Sequence, residues 1–157
     1  MQGDDLLEIA FPDILKREIG HLGIELSLAQ LEQFQRYYYE LNEWNSRVNL
    51  TSVTEWEDVQ SKHYLDSLTA ALVIPKAVLG SGRFVDVGSG GGFPGVPLLL
   101  AFPGMKGTLI EATGKKTAFL EHLKDSLGLE GLEVLNGRAE TLAHDPALRE
   151  SFDIVLA

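Results

Sequence analysis

The sequence predicts an α/β protein in which a parallel sheet with connecting helices follows an N-terminal helical region. Three observations support this fold class. From residue 83 onward, apolar strand-like runs alternate with helical patterns, as they do in βαβ units. The first run ends in a glycine-rich loop, and the residues before it show helical spacing of their apolar side chains. We place the boundary at residues 79–82, between a helical region at 1–80 and a sheet domain at 81–157.

A capping box predicts the start of a long helix in the N-terminal region. Ser27 and Gln30 have the spacing at which each side chain can cap the backbone N–H of the other. Apolar and aromatic side chains then recur at helical intervals, and we expect them to pack in the core rather than to stack on nucleic-acid bases. They are Leu31, Phe34, Tyr37, Tyr38, Leu41, Trp44 and Val48.

The same capping spacing recurs further along this region, at Thr54 and Glu57. An apolar pattern then extends over residues 56–72 and stops before Pro75, which disfavours helix in the residue before it. The pattern predicts two short helices. The second of them carries Lys62, His63 and Asp66.

Four apolar runs predict the strands of the parallel sheet, at residues 84–87, 108–110, 132–135 and 153–156. Helices are expected between them. One follows Pro94 and ends near Phe102, a second covers residues 114–127 and is closed by Gly128, and a third, short helix starts near Ala139.

The glycine-rich loop after the first strand is typical of a nucleotide-type cofactor site. Glycines have no Cβ atom, so they adopt positive φ at little cost and let a ligand approach the backbone. Gly90, Gly92 and Gly95 match the dinucleotide pattern G-x-G-x-x-G. In another frame, the stretch from Asp86 to Gly92 has the pattern D-x-G-x-G-x-G, which resembles the first motif of S-adenosylmethionine-dependent methyltransferases.

Charge favours the methyl donor over a dinucleotide at this loop. A pyrophosphate needs free N–H donors at the helix N-terminus, and Pro94 and Pro97 supply none. Asp86 would repel such an anion by about 4 kcal/mol at a separation of about 4 Å and an effective dielectric constant of about 20. S-adenosylmethionine instead carries an ammonium and a sulfonium group, which a carboxylate attracts. The spacing alone leaves open both cofactor classes and a ligand-free structural turn.

The residues after the second and third strands predict the rest of a cofactor site, because ligands of open parallel sheets bind beyond the carboxyl ends of the strands. Glu111 follows the second strand, and its carboxylate can accept hydrogen bonds from both ribose hydroxyls of an adenosine. After the third strand, backbone N–H groups near Ala139 can bind an adenine edge, and Glu140 can accept from the exocyclic amine. Dinucleotide sites also have an acid after the second strand, so Glu111 does not choose between the cofactors.

Composition and charge argue against several classes of protein. The chain of 157 residues has no cysteine, which leaves out disulfides and thiolate metal sites, and its four histidines have no metal-ligand spacing. No apolar run reaches the roughly 18 residues of a membrane span, and residues 1–5 are acidic where a signal peptide would be basic. We therefore expect a cytoplasmic protein with no metal and no membrane partner. The net charge of −10 argues against nucleic acid as a partner but does not exclude a local basic patch.

Four motifs taken together are far more specific than the glycine loop alone. They are Trp44-Asn45 with Val48-Asn49-Leu50-Thr51, Lys62-His63-Tyr64-Leu65-Asp66-Ser67-Leu68, the loop from Asp86 to Gly95, and Gly114-Lys115-Lys116 with Phe119-Leu120. In this combination the chain resembles the bacterial small-subunit rRNA guanine-N7 methyltransferases, also known as the glucose-inhibited division protein B family. The resemblance spans most of the chain.

The resemblance implies a class I, Rossmann-like methyltransferase that uses S-adenosylmethionine to methylate N7 of a guanine in small-subunit rRNA. It places His63 and Asp66 at the cofactor mouth as positioning candidates. Lys115 and Lys116, at the start of the helix after the second strand, become candidates for RNA phosphate contacts. The resemblance also adds Phe93 to the cofactor contacts, which we expect at Asp86, Gly88, Gly90, Phe93, Glu111, Ala139 and Glu140.

The fold of this family has more strands than the four that the sequence shows, so we expect a sheet truncated after its fourth strand. Two other functions stay open beside rRNA methylation. One is methylation of a small molecule, which the negative net charge suits better. The other is binding of the cofactor without catalysis.

Overall fold

Among the residues that the structure describes, a parallel sheet of four strands forms the centre, as the sequence predicts. The computed structural model describes residues 10–157, so the first nine residues of the predicted helical region, with the acidic residues 1–5, lie outside it. The strands are β1 (Arg83–Val87), β2 (Lys106–Glu111), β3 (Leu132–Asn136) and β4 (Ile154–Leu156). Their order is β3-β2-β1-β4, and every pairing is parallel. Strands β2 and β4 therefore flank β1 on opposite sides, so the strand order reverses at β1. Ligands of such sheets bind at this point, beyond the carboxyl ends of the strands.

The helices begin in the N-terminal region and then alternate with the strands. In chain order they are α1 (Asp13–Ile19), α2 (Leu28–Asn45), α3 (Trp56–Asp58), α4 (Asp66–Leu68), α5 (Lys76–Ser81), α6 (Gly95–Ala101), α7 (Gly114–Leu127) and α8 (Ala139–Leu142). The capping box is confirmed, because the Gln30 N–H donates to the Ser27 hydroxyl and the Ser27 N–H donates to Gln30 Oε1. Helix α7 ends at Gly128, whose φ of +66° is left-handed as predicted. Helix α5 is not predicted from the sequence, and it ends at the predicted boundary.

Residues 56–72 form one continuous helical segment instead of the two short helices that the sequence predicts. Helices α3 and α4 are joined by π-helical turns at Val59–Leu65, and 3₁₀ turns at Thr69–Leu72 end the segment. No glycine or proline interrupts these residues, so the local sequence contains no helix breaker. The predicted cap at Thr54 is also wrong. Glu55 occupies the N-cap position, and the Thr54 carbonyl instead accepts a hydrogen bond from the Tyr38 hydroxyl at 2.8 Å.

One hydrophobic core joins the N-terminal helices to the sheet. Helix α2 packs against α6 and α7, and α4 packs against α6. The prediction that aromatic side chains of α2 belong to the core is confirmed for Phe34 and Tyr37, which are fully buried beside Tyr64. Burying each such ring stabilises the fold by about 1.5–3 kcal/mol. The division at residue 80 stays a prediction, and the core itself is continuous across it.

We expect the purified 157-residue chain to associate with itself through strand β4. Within the described residues β4 pairs only with β1, and its Val155 is 70% exposed. An unpaired apolar strand edge pairs readily with another chain. Light scattering should show dimers or larger species, and Val155→Lys should shift them toward monomer. The control Leu28→Lys changes an exposed apolar residue at the start of helix α2, outside the sheet, and should have no such effect. A wild-type chain that stays monomeric would contradict this expectation.

Candidate functional site

The carboxyl ends of strands β1, β2 and β3 line an open cavity of about 380 Å³, the first cavity. Ligands of parallel sheets bind at this edge. Four of the predicted cofactor residues line it, namely Gly88, Glu111, Ala139 and Glu140. The structure thus brings together the three strand ends to which the sequence assigns an adenosine. The other predicted cofactor residues, Asp86, Gly90 and Phe93, lie outside this lining.

The glycines of the loop after β1 divide into two groups. Gly88 and Gly90 have φ values of +74° and +56°, and a Cβ atom at either position would meet no atom within 4 Å. A Cβ atom at Gly92 would lie 2.6 Å from the Tyr37 hydroxyl, and one at Gly95 would lie 2.7 Å from a side-chain carbon of strand β2. The first pair therefore leaves open space for a ligand, while the second pair is required for packing.

The backbone N–H groups of this loop are directed into the protein. Gly88 and Ser89 both donate to the Ile110 carbonyl, at 2.8 and 3.3 Å. The Gly90 N–H donates to Glu111 Oε2 at 3.0 Å. A loop whose donors are engaged in this way offers few N–H groups to a phosphate.

Glu111 lies at the carboxyl end of β2, and its side chain links the glycine loop to the residues that follow β2. In addition to the Gly90 N–H on Oε2, its Oε1 accepts a hydrogen bond from the Thr113 N–H at 3.3 Å. The residue is only 7% exposed but lines the first cavity. Each carboxylate oxygen accepts more than one hydrogen bond, so Glu111 can also accept from the hydroxyl groups of a ligand.

Asp86 lies beneath the glycine loop and is fully buried. Its Oδ2 accepts a hydrogen bond from the Gly95 N–H at 2.9 Å, and its Oδ1 has no hydrogen-bond partner among the described residues. Burial raises the pKa of Asp86 to about 6; the hydrogen bond from Gly95 opposes this rise, and the nearby charge of Glu111 adds to it. The carboxylate ties the start of helix α6 to strand β1, a role that the sequence does not predict.

Tyr37 fixes the glycine loop from the side of the N-terminal helices. Its hydroxyl donates a hydrogen bond to the Gly91 carbonyl, and its buried ring contacts Phe93 and Tyr64. Burial, followed by the charge of Asp86, raises the pKa of Tyr37 well above its usual value, so the hydroxyl keeps its proton and remains a donor. The sequence predicts Tyr37 only as a core residue. The one sequence signal for this contact is the general rule that a buried tyrosine hydroxyl needs a hydrogen-bond partner.

A second cavity, of about 510 Å³, opens on the other side of β1, next to β4. Three predicted site residues line it, namely His63, Asp66 and Phe93. The His63 and Phe93 rings are stacked, with centroids 4.2 Å apart and planes inclined by 10°. His63 Nε2 lies 2.8 Å from Thr51 Oγ1. Burial lowers the pKa of His63, and the charge of Asp66 partly opposes this, so the imidazole is uncharged at neutral pH.

Lys115 and Lys116 lie in the first turn of helix α7, just after β2. Lys115 is exposed and Lys116 is half-buried. Within residues 10–157 neither forms an ion pair, and neither belongs to the lining of the two cavities. Their charges are thus available to an anionic ligand outside these cavities.

Across residues 10–157, no three histidine, cysteine, aspartate or glutamate side chains converge in a way that could hold a metal ion. Three of the histidines each lie next to one polar side chain: His21 Nδ1 lies 3.1 Å from Glu18 Oε2, His63 Nε2 lies 2.8 Å from Thr51 Oγ1, and His122 Nε2 lies 2.6 Å from Glu40 Oε2. None of the helices in this part of the chain has the length and hydrophobicity needed to cross a membrane.

The parallel sheet, the glycine loop after β1 and the acidic residue at the end of β2 define a Rossmann-like fold. Residues 30–157 match the family model described as GidB, rRNA small subunit methyltransferase G, and this match makes it a class I methyltransferase fold. The chain therefore belongs to the rRNA small subunit methyltransferase G family.

Relatives named ribosomal RNA small subunit methyltransferase G come from several bacteria. The protein from Dehalococcoides mccartyi is 47% identical over 137 residues, which cover 87% of this chain and 57% of the relative. The protein from Halalkalibacterium halodurans is 44% identical over 142 residues, which cover 90% of this chain and 59% of the relative. The chain thus spans less than two thirds of the length of these relatives.

A solved structure, that of MtNAS in complex with MTA and tNA, is similar in fold. It superposes with a TM-score of 0.50 at 21% sequence identity, over 97% of this chain and 59% of the other. At this level of identity the likeness concerns the fold alone.

We expect Asp86→Asn to stabilise the protein increasingly as the pH rises. The pKa of Asp86 is about 6 in the folded protein and has its ordinary value of 3.8 in the unfolded chain. The stabilising contribution of the protonated Asp86 to the wild-type protein is therefore complete below pH 3.8 and is lost as the pH rises through 6. Asparagine keeps an acceptor for the Gly95 N–H but carries no charge. The free energy of unfolding of the variant relative to wild type should increase by up to about 3 kcal/mol between about pH 4 and pH 7.

Urea denaturation at the two pH values measures this difference. Asp125→Asn, which removes an exposed carboxylate of helix α7, serves as the control and should show no such trend. A difference between Asp86→Asn and wild type that does not change with pH would contradict the buried, ionisable state of Asp86.

Proposed function

We propose that the chain binds S-adenosylmethionine in the first cavity and transfers its methyl group to N7 of a guanine in small-subunit rRNA. The observation that carries this proposal is the meeting of Gly88, Glu111 and Ala139 at the carboxyl ends of three parallel strands. The family and the names of the relatives support rRNA as the substrate. Because the chain spans 57% of the D. mccartyi relative, the activity of the whole protein is part of the proposal.

The hydrogen bonds of the loop favour the methyl donor over a dinucleotide. The N–H groups of Gly90 and Gly95 donate to the carboxylates of Glu111 and Asp86, and Pro94 has no N–H to donate. A pyrophosphate would find few donors at the start of helix α6 and two carboxylates nearby. The same carboxylates attract the ammonium and sulfonium groups of S-adenosylmethionine.

The first cavity offers a suitable group for each part of an adenosine. At Gly88 the open space in the Cβ direction lets a ligand approach the end of β1. Glu111 accepts hydrogen bonds from the ribose hydroxyls. At the start of helix α8, the Ala139 backbone meets the adenine edge, and Glu140 accepts from the exocyclic amine.

The reaction needs alignment but no general base, because N7 of guanine has a lone pair and no proton. When bound, S-adenosylmethionine supplies an electrophilic methyl group: the bond from N7 to carbon forms as the carbon–sulfur bond breaks, and that electron pair stays on sulfur. The protein contributes a rigid loop, which Asp86 holds to the sheet and Tyr37 holds to helix α2. Such fixed positions lower the entropic part of the barrier.

We assign RNA phosphate contacts to Lys115 and Lys116. The net charge of −10 is compatible with this, since phosphates meet local charges rather than the total. Each contact releases counterions, so rRNA methylation should fall steeply as salt is added. Methylation of a small molecule, the function that the negative net charge favours, would depend only weakly on salt.

Calorimetry tests the cofactor. S-adenosylmethionine or its demethylated product should bind, and NAD should not bind with comparable affinity.

Variants of two residues of the first cavity test where the cofactor binds. Gly88→Val should abolish binding, because φ is +74° there and the side chain would fill the space in front of β1. Glu111→Ala should weaken binding by roughly 1.5–3 kcal/mol through lost charged hydrogen bonds. The control Gly80→Val adds the same bulk at an open position of helix α5. NAD binding as tight as that of S-adenosylmethionine would refute the assignment.

Cleavage of modified RNA tests the reaction. Two proteins are each incubated with unmodified small-subunit rRNA and S-adenosylmethionine. One is the 157-residue chain, and the other is the same chain extended after Ala157 with the remainder of the D. mccartyi relative. Methylation at N7 puts a positive charge on guanine and labilises its glycosidic bond, so borohydride followed by aniline should cut the RNA at one new guanine. Labelled methyl found only on an exocyclic amine, on ribose or on a small molecule would exclude N7 as the acceptor while leaving the cofactor assignment intact.

A further inference from the structure

The second cavity lies beside the proposed cofactor site without being part of it. The loop after β1 contributes Phe93 and Pro94 to its lining, β4 contributes Leu156 at its carboxyl end, and the N-terminal region contributes His63 and Asp66. Strands β2 and β4 flank β1 on opposite sides, so the two cavities lie on opposite sides of the glycine loop. A ligand in the second cavity would face the part of a cofactor that extends past β1, away from its adenosine.

The wall of this cavity is a pair of fixed aromatic rings. His63 stacks on Phe93 and is held by Thr51 Oγ1 at 2.8 Å from Nε2. Phe93 is held in turn by Tyr37, whose ring meets it edge-on at 5.3 Å and 86°. Rings of this kind are what proteins use to hold an unstacked base. Because burial lowers the pKa of His63, the imidazole does not repel the positive charge that methylation places on guanine.

Asp66 is the acidic group in the lining of the second cavity; it is exposed, and its charge acts on the neighbouring His63. Its carboxylate forms no hydrogen bond or ion pair with any residue between 10 and 157, whereas its neighbour Lys62 is paired with Asp58 at 3.1 Å. A carboxylate offers two acceptor oxygens side by side, which suit two adjacent N–H donors. Guanine presents such a pair of donors on one edge, at N1 and at the N2 amino group.

We propose that the second cavity receives the acceptor guanine and that Asp66 selects this base by accepting hydrogen bonds from N1–H and the N2 amino group. The inference rests on the proposed function and adds to it the residue that determines base specificity. N7 lies on the opposite edge of the purine, so a guanine held in this way directs N7 away from Asp66. Adenine has a lone pair at N1 and no amino group at C2, so the carboxylate disfavours it.

Binding of mononucleotides tests the assignment. GMP, IMP and AMP are each titrated into the 157-residue chain saturated with S-adenosylhomocysteine, and binding is followed by NMR. The titrations use wild type, Asp66→Asn and the control Glu57→Gln. The control removes an exposed carboxylate of the same helical segment outside the cavity. Wild type should prefer GMP to AMP, with IMP between them because it keeps N1–H but lacks the amino group. Asp66→Asn should reduce the preference for GMP by about tenfold, and the control should not.

The histidine ring protons report where GMP binds. Those of His63 should shift when GMP is added, while those of the exposed His21 and His144 should not. The proposal is overturned if wild type does not prefer GMP to AMP, if Asp66→Asn keeps the full preference, or if the His63 signals do not move. Each titration is repeated without S-adenosylhomocysteine. Failure to bind that ligand would therefore count against the proposed function, while the base preference would still be measured.

Discussion

The close approach of Gly95 to strand β1 is the constraint on which the candidate site depends. A Cβ atom at this position would lie 2.7 Å from Leu109 Cδ2 and 2.8 Å from Asp86 Oδ2, so only glycine lets helix α6 start against the sheet. The same contact brings the Gly95 N–H to the buried Asp86 carboxylate. The chain between β1 and α6 must then turn sharply, and Gly88 and Gly90, with positive φ, make that turn possible. The open space in front of β1 follows from this geometry.

The N-terminal helices also hold the glycine loop in place. Tyr37 of helix α2 donates to the Gly91 carbonyl, and its hydroxyl fills the space that a side chain at Gly92 would need. The glycine loop is therefore held by the sheet on one side and by helix α2 on the other. A loop fixed in this way is preorganised, which suits a reaction whose barrier is lowered by orientation rather than by proton transfer.

Hydrogen bonding resolves a choice that the glycine pattern leaves open. The spacing of the glycines fits both a dinucleotide and S-adenosylmethionine, because both cofactors need a tight turn and a close backbone approach. Which of them suits the loop depends on where its N–H groups point. In the structure Glu111 and Asp86 accept from this loop and from the start of helix α6, so donors that would bind a pyrophosphate are engaged and the local charge is negative.

The sequence by itself determined the strands, the helices between them and the order in which polar residues follow the strand ends. These features depend on neighbours within a few residues, as the cap at Ser27 and the left-handed Gly128 show. Only the tertiary structure decided that Asp86 is buried, that Tyr37 reaches the glycine loop, and that His63 lines a cavity apart from the one that Glu111 lines. Each of these outcomes joins segments distant in the chain. They depend on which strand lies beside β1 and on how helix α2 packs against helices α6 and α7, and no local pattern specifies either.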